Sequence, residues 1–165
     1  MNQLYAETGV KRKDTAATMA IRVLMFIGII VGVVALLVDP ILRYVGVALI
    51  AFIVFMFPKL NIEYEYVFVD GQLDFDKILG NAKRRHILRI DLEEVEIIAP
   101  LESHSLDSYT YIQCEKKDFT SRSKDAKPYV IVVTKENKKL KILFEPSEKM
   151  ISMMKKKSPR KVSVS

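Results

Sequence analysis

The chain has 165 residues, of which half are apolar and 28% are charged. Its single cysteine, Cys114, excludes a disulfide within the chain and is consistent with a reducing compartment. The 26 lysines and arginines against 20 acidic residues give a net charge of +6. Because no stacking pattern of aromatic and basic residues accompanies this charge, we do not expect a nucleic-acid partner.

Two uncharged apolar runs, residues 23–38 and 44–57, dominate the N-terminal third of the chain. Only five residues separate them, and Pro40 among these ends the first helix sharply because proline cannot continue it. We predict a transmembrane helical hairpin over residues 20–58, with short spans at about 20–38 and 41–57. A cleaved signal peptide is disfavoured, since no small-x-small site precedes Asp39 and a second apolar run follows directly.

The charges around the hairpin predict its orientation. Four basic residues precede the first run (Lys11, Arg12, Lys13 and Arg22), whereas the turn offers only Arg43. The positive-inside rule then places the N-terminus in the cytoplasm, and a second crossing returns the chain there. We therefore expect a cytoplasmic segment over 1–19, the hairpin over 20–58, a cytoplasmic domain over 59–157 and a basic tail over 158–165.

Three glycines are candidate helix-packing residues. Gly28 and Gly32 form a small-xxx-small pair on the first helix, and Gly46 lies on the second helix at a depth that matches Gly32. Small residues at these positions would let two helix backbones approach closely, either within the hairpin or against a partner helix. The alternative is that glycine is simply common in membrane helices.

Alternating apolar and charged residues begin at Asn61 and continue almost to the end of the chain. Ile62, Tyr64, Tyr66 and Phe68 share one strand face, and an Asp-Gly pair at 70–71 then predicts a two-residue hairpin turn. We predict seven antiparallel strands in a meander, at about residues 62–68, 73–79, 84–91, 95–99, 109–114, 129–135 and 140–145. The segment 115–127 is predicted to be a charged loop.

A helix follows the last strand. Pro146 suits its first turn, Met150, Met153 and Met154 form a narrow apolar stripe, and Pro159 ends it. We expect this helix to cover an open end of the strand assembly, so that the domain is α+β and forms one core.

Four short motifs resemble those of bacterial PH-like (pleckstrin-homology-like) domains carried by small membrane proteins. They are YEY at 64–66, DGQLDFDKI at 70–78, KRR at 83–85 and FEPSEKM at 144–150, preceded by the two-helix hairpin. The resemblance implies a seven-stranded antiparallel PH-like barrel or sandwich capped by a C-terminal helix, and a location in the bacterial inner membrane as a multi-pass protein. The resemblance implies a fold and a cellular location more than an activity.

No constellation of residues indicates catalysis, and we predict no catalytic residue, metal or cofactor. Zinc-protease, redox, P-loop and serine-hydrolase motifs are absent from the sequence. His86 and His104 are isolated, and His86 is interpreted as a packed or edge residue of its strand. Cys114 is interpreted as a small apolar core residue on the fifth strand.

A cluster of carboxylates is the one feature that would suit a divalent cation. Asp74 and Asp76 share a strand face, and Glu63 and Glu65 are candidates to lie across the hairpin from them. Carboxylate oxygens bind Ca²⁺ or Mg²⁺. The favoured alternative is a solvated sheet face balanced by Lys77 and the neighbouring basic strand.

Basic residues gather on the third strand and at the end of the last helix. As a candidate patch that faces the membrane or a partner, we name Lys83, Arg84, Arg85, Arg89, Lys155, Lys156 and Lys157. Each cation near an anionic leaflet contributes about 1 kcal/mol of attraction, so anionic lipid headgroups are candidate ligands. The tight turn at 70–71 replaces the basic loop with which phosphoinositide-binding PH domains grip the headgroup, which argues against a specific inositol-phosphate pocket.

Three functions follow from these features. The favoured one is a membrane-anchored, non-enzymatic PH-like module that binds a membrane or cytoplasmic protein partner, the anionic inner leaflet, or both. The second is a small accessory subunit of a larger membrane complex, such as a transporter or envelope machinery. The third, least favoured, is a metal-dependent hydrolase that uses the region of Asp74 and Asp76.

Overall fold

A computed structural model describes residues 4–80 and 83–164 of the chain. The chain divides into two compact units. The hairpin unit comprises residues 13–62 and 79–83, and the sheet domain comprises residues up to 12, 63–78 and those from 84 onward. Each unit is described by itself.

The hairpin unit contains two long helices, α1 over Ala16–Val38 and α2 over Pro40–Met56, and a 3-10 turn over Phe57–Leu60. Asp39 alone separates α1 from α2, and its carboxylate caps α2 by accepting hydrogen bonds from the backbone N–H groups of Ile41 at 2.7 Å and Leu42 at 3.3 Å. Pro40 occupies the first turn of α2, where its missing N–H costs no hydrogen bond. The turn is therefore tighter than the sequence predicted.

Both helices are long and apolar enough to cross a membrane. The helix α1 begins at Ala16, earlier than the predicted 20, because the Thr15 side chain caps it. Its 23 residues span about 34 Å, which exceeds the ~30 Å hydrocarbon core of a bilayer. The second candidate span extends over Pro40–Leu60, since the 3-10 turn lengthens α2.

The helices α1 and α2 contact each other through glycine. A Cβ built on Gly46 would lie 2.6 Å from the carbonyl oxygen of Gly32, closer than any side chain tolerates. A Cβ on Gly32 would meet the Ile50 side chain at 2.7 Å, and one on Gly28 would meet Ile53 at 2.7 Å. The structure thus places all three candidate helix-packing glycines at the contact within the hairpin.

Arg22 joins the two ends of the hairpin unit. One terminal nitrogen of its guanidinium, Nη2, donates to the carboxylate of Asp14 at 3.0 Å and to the side-chain oxygen of Asn61 at 2.8 Å. Asp14 precedes α1, whereas Asn61 follows the 3-10 turn. The chain segments that enter and leave the hairpin are therefore bridged by one side chain.

Among the described residues, the sheet domain contains eight strands and one α-helix. The strands are β1 Tyr5–Lys11, β2 Ile62–Val69, β3 Gln72–Leu79, β4 Lys83–Asp91, β5 Val95–Pro100, β6 Glu115–Asp118, β7 Tyr129–Lys135 and β8 Lys138–Phe144, and the helix is α3 Glu148–Lys157. They form two four-stranded sheets with the orders β1-β2-β3-β4 and β5-β7-β8-β6. A 3-10 helix over His104–Tyr109 follows β5.

The predicted seven-stranded antiparallel meander is wrong in two respects. Strand β1 belongs to the sheet although it precedes the hairpin, and it pairs with β2 in antiparallel register from Tyr5 opposite Val69 to Lys11 opposite Glu63. Strand β6 lies inside the predicted loop 115–127 and pairs with β8 in parallel. Neither pairing is local in the sequence, so no short-range sequence pattern predicts it.

The predicted strand at 109–114 does not form. Tyr109 ends the 3-10 helix that begins at His104, where the Ser103 hydroxyl accepts a hydrogen bond from the backbone of Ser105 at 3.3 Å. The segment contains strand-favouring residues, but Tyr111 is 96% exposed and no buried alternation supports pairing. Cys114 consequently lies in a loop and is half-buried, not a core residue.

An aromatic cluster joins the two sheets. Tyr66 of β2, Phe75 of β3 and Phe144 of β8 are fully buried, and their ring centroids lie 5.5–5.8 Å apart in edge-to-face pairs. Phe119 stacks on Phe75 at 4.9 Å. Aromatic pairs of this kind each contribute about 0.5–1.5 kcal/mol beyond their area burial, so this cluster is the main core of the domain.

The helix α3 covers the domain with Met150, Ile151 and Met154, all of which are buried. Its predicted stripe is confirmed at Met150 and Met154. It begins at Glu148, later than Pro146, because the Ser147 hydroxyl accepts a hydrogen bond from the Met150 N–H at 3.3 Å.

The segment after α3 continues along β5. The backbone N–H of Ile98 donates to the Lys161 carbonyl at 2.7 Å, and the Ser163 N–H donates to the Ile98 carbonyl at 2.8 Å. Val162 is buried there. Residues 161–163 of the predicted basic tail therefore pack on the domain.

Candidate functional site

An open groove of about 960 Å³ lies beside α3 in the sheet domain and is here called the α3 groove. Four chain segments line it: the end of β5, the segment before β7, the helix α3 and the C-terminal end of the chain. Its apolar wall consists of Pro100, Leu101, Ala126, Pro128, Tyr129, Pro146, Ile151 and Val164. Leu101 is 42% and Val164 50% exposed, so this wall is accessible to solvent.

Three prolines explain why the groove stays open. Pro100 ends β5, Pro128 precedes β7 and Pro146 precedes α3, and none of them has a backbone N–H with which to extend a ladder. One hydrogen bond, from the Leu101 N–H to the Pro128 carbonyl at 2.9 Å, joins the two strand ends. Regular pairing of β5 with β7 ends at Pro100 and Tyr129, both of which line the groove.

Charged side chains line the rim of the groove. It carries Glu102, Lys127, Glu148, Lys155 and Lys156. Among the described residues, none of the three lysines has a hydrogen-bond or ion-pair partner. Burial and the neighbouring Glu148 carboxylate raise the pKa of Tyr129, so its hydroxyl stays a hydrogen-bond donor at neutral pH.

A second cavity of about 540 Å³ adjoins the groove and shares Lys155 and Val164 with it. Arg160 and Lys161 line this cavity. Lys161 is committed to the fold, because its ammonium group donates to the carbonyl oxygens of Leu92 at 3.0 Å and Glu93 at 2.7 Å. The cationic character of the rim thus extends past the end of α3.

The basic residues predicted on β4 lie in a different setting. Arg89 donates to both carboxylate oxygens of Asp74, at 2.6 and 2.9 Å, and Arg84 pairs with Glu65 and, at 3.7 Å, with Asp76. Among the described residues, Arg85 forms no ion pair. Neighbouring strands therefore neutralise much of this part of the patch.

The remaining members of the predicted patch divide between the two units. Lys83 belongs to the hairpin unit. Lys155 and Lys156 line the α3 groove, while Lys157 lies over the β2–β3 turn, where it would be 3.1 Å from a Cβ on Gly71. Lys155 and Lys156 are thus unpaired among the described residues, as Arg85 is, whereas Arg84 and Arg89 are committed to acidic side chains.

The predicted carboxylate face is occupied by basic partners. Besides the arginine contacts, the Asp76 carboxylate accepts a hydrogen bond from the exposed His86 ring at 2.9 Å. His86 lies on β4, an edge strand of its sheet. Within residues 4–80 and 83–164, no group of three or more histidine, cysteine or carboxylate side chains is arranged to hold a metal ion.

Asp118, at the end of β6, forms contacts that anchor β1 and that the sequence analysis did not anticipate. Asp118 accepts hydrogen bonds from the Thr120 N–H at 3.0 Å and hydroxyl at 2.7 Å and from Arg122 at 3.0 Å. Burial alone would raise the pKa of Asp118, but these hydrogen bonds outweigh it and lower the pKa. Arg12, at the end of β1, approaches Asp118 at 3.7 Å and donates to the Tyr64 hydroxyl at 2.7 Å.

Two sheets around an aromatic core, closed by a C-terminal helix, place the chain among small α+β domains without a visible catalytic constellation in the described residues. The family described as Bacterial PH-like domain (DUF6106) matches residues 2–164, so the chain belongs to that family. The match includes β1 and the hairpin together with the sheet domain. Searches of curated proteins and of solved structures found no match.

Family membership confirms the resemblance seen in the sequence. PH-like domains are generally non-catalytic, which agrees with a non-enzymatic module. The groove itself escaped the sequence analysis. The prolines at 100, 128 and 146 are its only local signal, and each reads by itself as an ordinary strand or helix boundary.

Proposed function

We propose that this protein is a membrane-anchored, non-enzymatic module, with the hairpin as its anchor and the α3 groove as its binding site for a protein partner. The observation that carries the proposal is the outward orientation of the hairpin's apolar side chains. Leu24 is 66%, Leu37 81% and Tyr44 79% exposed. Surfaces of this extent need an apolar solvent or a partner.

The pairing of β1 with β2 supports an even number of membrane crossings. These strands lie directly before and after the hairpin in the chain, and they are neighbours in one sheet. Both ends of the hairpin must then be on the same side of the membrane. This argument is independent of charge, whereas the basic residues before α1 favour the cytoplasm as that side.

The glycine contact bears on the accessory-subunit alternative. Gly32 and Gly46 face each other inside the hairpin, so they are not available as a close-approach face for a helix of another protein. A larger complex would have to contact the outward faces instead. We therefore favour a self-contained anchor.

Cysteine labelling in intact cells tests the proposed anchor and topology. In a Cys114→Ser background, single cysteines replace Ile41 at the turn and Tyr111 in the sheet domain, both of which are highly exposed. A membrane-impermeant maleimide should label Ile41→Cys in intact cells and Tyr111→Cys only after permeabilisation. Labelling of both positions in intact cells, or extraction of the protein by alkaline carbonate, would overturn the proposal.

A further inference from the structure

We propose that the α3 groove binds a short segment of a partner protein in which an apolar side chain is flanked by acidic residues. The inference rests on the proposed function, since it names the partner chemistry of that binding site. The apolar residue would enter between Leu101, Tyr129 and Val164. The acidic residues would pair with Lys127, Lys155 and Lys156.

The size and exposure of the groove suit a peptide segment. A volume of about 960 Å³ lies at the upper end of the ~300–1,000 Å³ typical of ligand sites. Its walls come from four segments, and Leu101 and Val164 present exposed apolar side chains there. An apolar anchor placed there removes both itself and Leu101 from water.

Unpaired charge indicates the sign of the partner. Lys127, Lys155 and Lys156 make no ion pair with the described residues, in contrast to Arg84 and Arg89 on β4, which neighbouring strands neutralise. Carboxylates on a bound segment would supply the missing counter-charges. The rim extends into the adjoining cavity, where Arg160 adds a further cation.

The backbone around the groove favours recognition of a peptide through its side chains over pairing of the peptide as an additional strand. Pro100 and Pro128 remove the N–H groups at the strand ends that face the groove. The edge of β5 at Ile98 is already occupied by residues 161–163 of the chain itself. An incoming segment therefore finds an apolar wall and a charged rim in place of an open ladder.

Glu102 and Glu148 favour a peptide over a lipid headgroup. Both stand on the same rim as the lysines, and a phosphate group would meet their carboxylates at close range. A peptide presents its charges one residue at a time, and its N–H groups can donate to the two glutamates. A cluster of lysines without these acids would have indicated a phosphate site instead.

The test uses the full-length protein in nanodiscs of neutral phosphatidylcholine and an array of eight-residue peptides. One set places Leu, Phe or Tyr between Asp and Glu residues, a second replaces the acids by Lys, and a third keeps the acids but replaces the anchor by Ser. We expect the first set alone to bind, and binding to weaken as salt rises. An acidic set that binds no better than the other two overturns the inference.

Substitutions in the α3 groove test whether the peptide binds there. The double change Lys127→Glu and Lys156→Glu should weaken binding of the acidic apolar peptides at least tenfold, and Leu101→Asp should do the same through the wall. Arg85→Glu, a charge reversal outside the groove, is the matched control and should leave the affinity within twofold. Equal weakening by the control and the groove variants would overturn the inference.

A second experiment, with lipid vesicles, tests whether the groove binds a lipid headgroup instead of a peptide. Vesicles containing phosphatidylglycerol are added to the same nanodiscs and their association is measured. If the groove variants lose vesicle association but keep peptide binding, the occupant is a lipid headgroup and the inference is wrong. Failure of the peptide arm leaves the cysteine labelling unaffected, so it is distinguishable from a failure of the proposed anchor.

Discussion

The large apolar side chains of the hairpin are exposed, whereas those of the sheet domain are buried. Within α1 and α2 only Gly32, Gly46 and Ile53 are buried, and the large apolar residues point outward. In the sheet domain, Tyr66, Phe75 and Phe144 are wholly inside while the charges lie on the surface. One chain thus contains two units whose packing suits different solvents.

The comparison teaches how each unit is held together. The hairpin buries a single large side chain, Ile53, and depends on the close contact of its helices at Gly32 and Gly46, supported by the Arg22 bridge. The sheet domain depends on hydrophobic burial, which requires water outside. A mutation that is severe in one unit should therefore have a different signature from a mutation that is severe in the other.

The largest expected effect comes from removing β1. A fragment covering residues 59–165 lacks β1, exposes the pairing edge of β2 and leaves the Arg12 contacts to Tyr64 and Asp118 unmade. We expect it to be insoluble or to unfold without cooperativity. A chain in which an Asn-Gly turn joins Arg12 to Ile62 restores β1 without the hairpin, and should fold in water.

Circular dichroism and thermal unfolding of the two proteins compare them directly. If the fragment and the hairpin-less chain unfold with the same Tm, β1 is dispensable and the two units are separable at residue 59.

Truncation of the aromatic core should be nearly as severe. Phe75→Ala removes a fully buried ring that contacts Tyr66, Phe119 and Phe144, and should cost about 3–5 kcal/mol in the free energy of unfolding. Urea unfolding of the hairpin-less chain measures it. Phe55→Ala, at a 66% exposed position of α2, is the control in the full-length protein, and its sheet domain should keep its Tm. A Phe75→Ala loss below about 1 kcal/mol would contradict the role of this cluster.

A side chain at the glycine contact should separate α1 from α2. Gly46→Leu places atoms where the Gly32 carbonyl lies 2.6 Å from a Cβ, and overpacking of this kind costs about 1–3 kcal/mol. We expect faster proteolysis at the turn in detergent and an unchanged Tm of the sheet domain. Gly9→Ala on β1, where nothing lies within 4 Å of an added Cβ, is the matched control. Equal proteolysis of the two variants would show that the contact is not needed.

The smallest expected effect is a change in the stability of the sheet domain at acidic pH. Since the pKa of Asp118 is lower in the folded than in the unfolded chain, its contribution to stability is complete above about pH 4 and is lost as the pH falls through the folded value. Asp118→Asn should flatten the decline in stability of the hairpin-less chain below about pH 4, by less than ~1 kcal/mol because the carboxylate is partly exposed. An unchanged slope in acid urea titrations would contradict this assignment.

Local sequence signals predicted the elements that are stabilised locally. The apolar runs gave the two helices, and Asp70 and Gly71 form the expected turn, both with positive φ. Strand β1 was missed because its inward positions, Ala6, Thr8 and Val10, are small, and a strand with such a face resembles a polar segment. The parallel partner of β8 was missed because its four residues are all charged.

The candidate site was less predictable than the fold. Lys155 and Lys156 were recognised as available cations. The arginines of β4 were grouped with them, although the sequence analysis also favoured a face in which the basic strand balances Asp74 and Asp76, because the sequence does not show which arginine meets which acid. The groove depends on four segments that meet only in the folded chain. No spacing along the sequence could relate Pro100 to Pro128 and Pro146.

The pairing of β1 with β2 also orders events during synthesis. The ribosome produces β1 first, then the whole hairpin, and only then the strand that β1 needs. If the hairpin is the proposed anchor, a chain that inserts only one of its two helices would hold these strands on opposite faces of the bilayer, and the sheet would keep an open edge. Under that proposal, completion of the sheet depends on both helices having crossed.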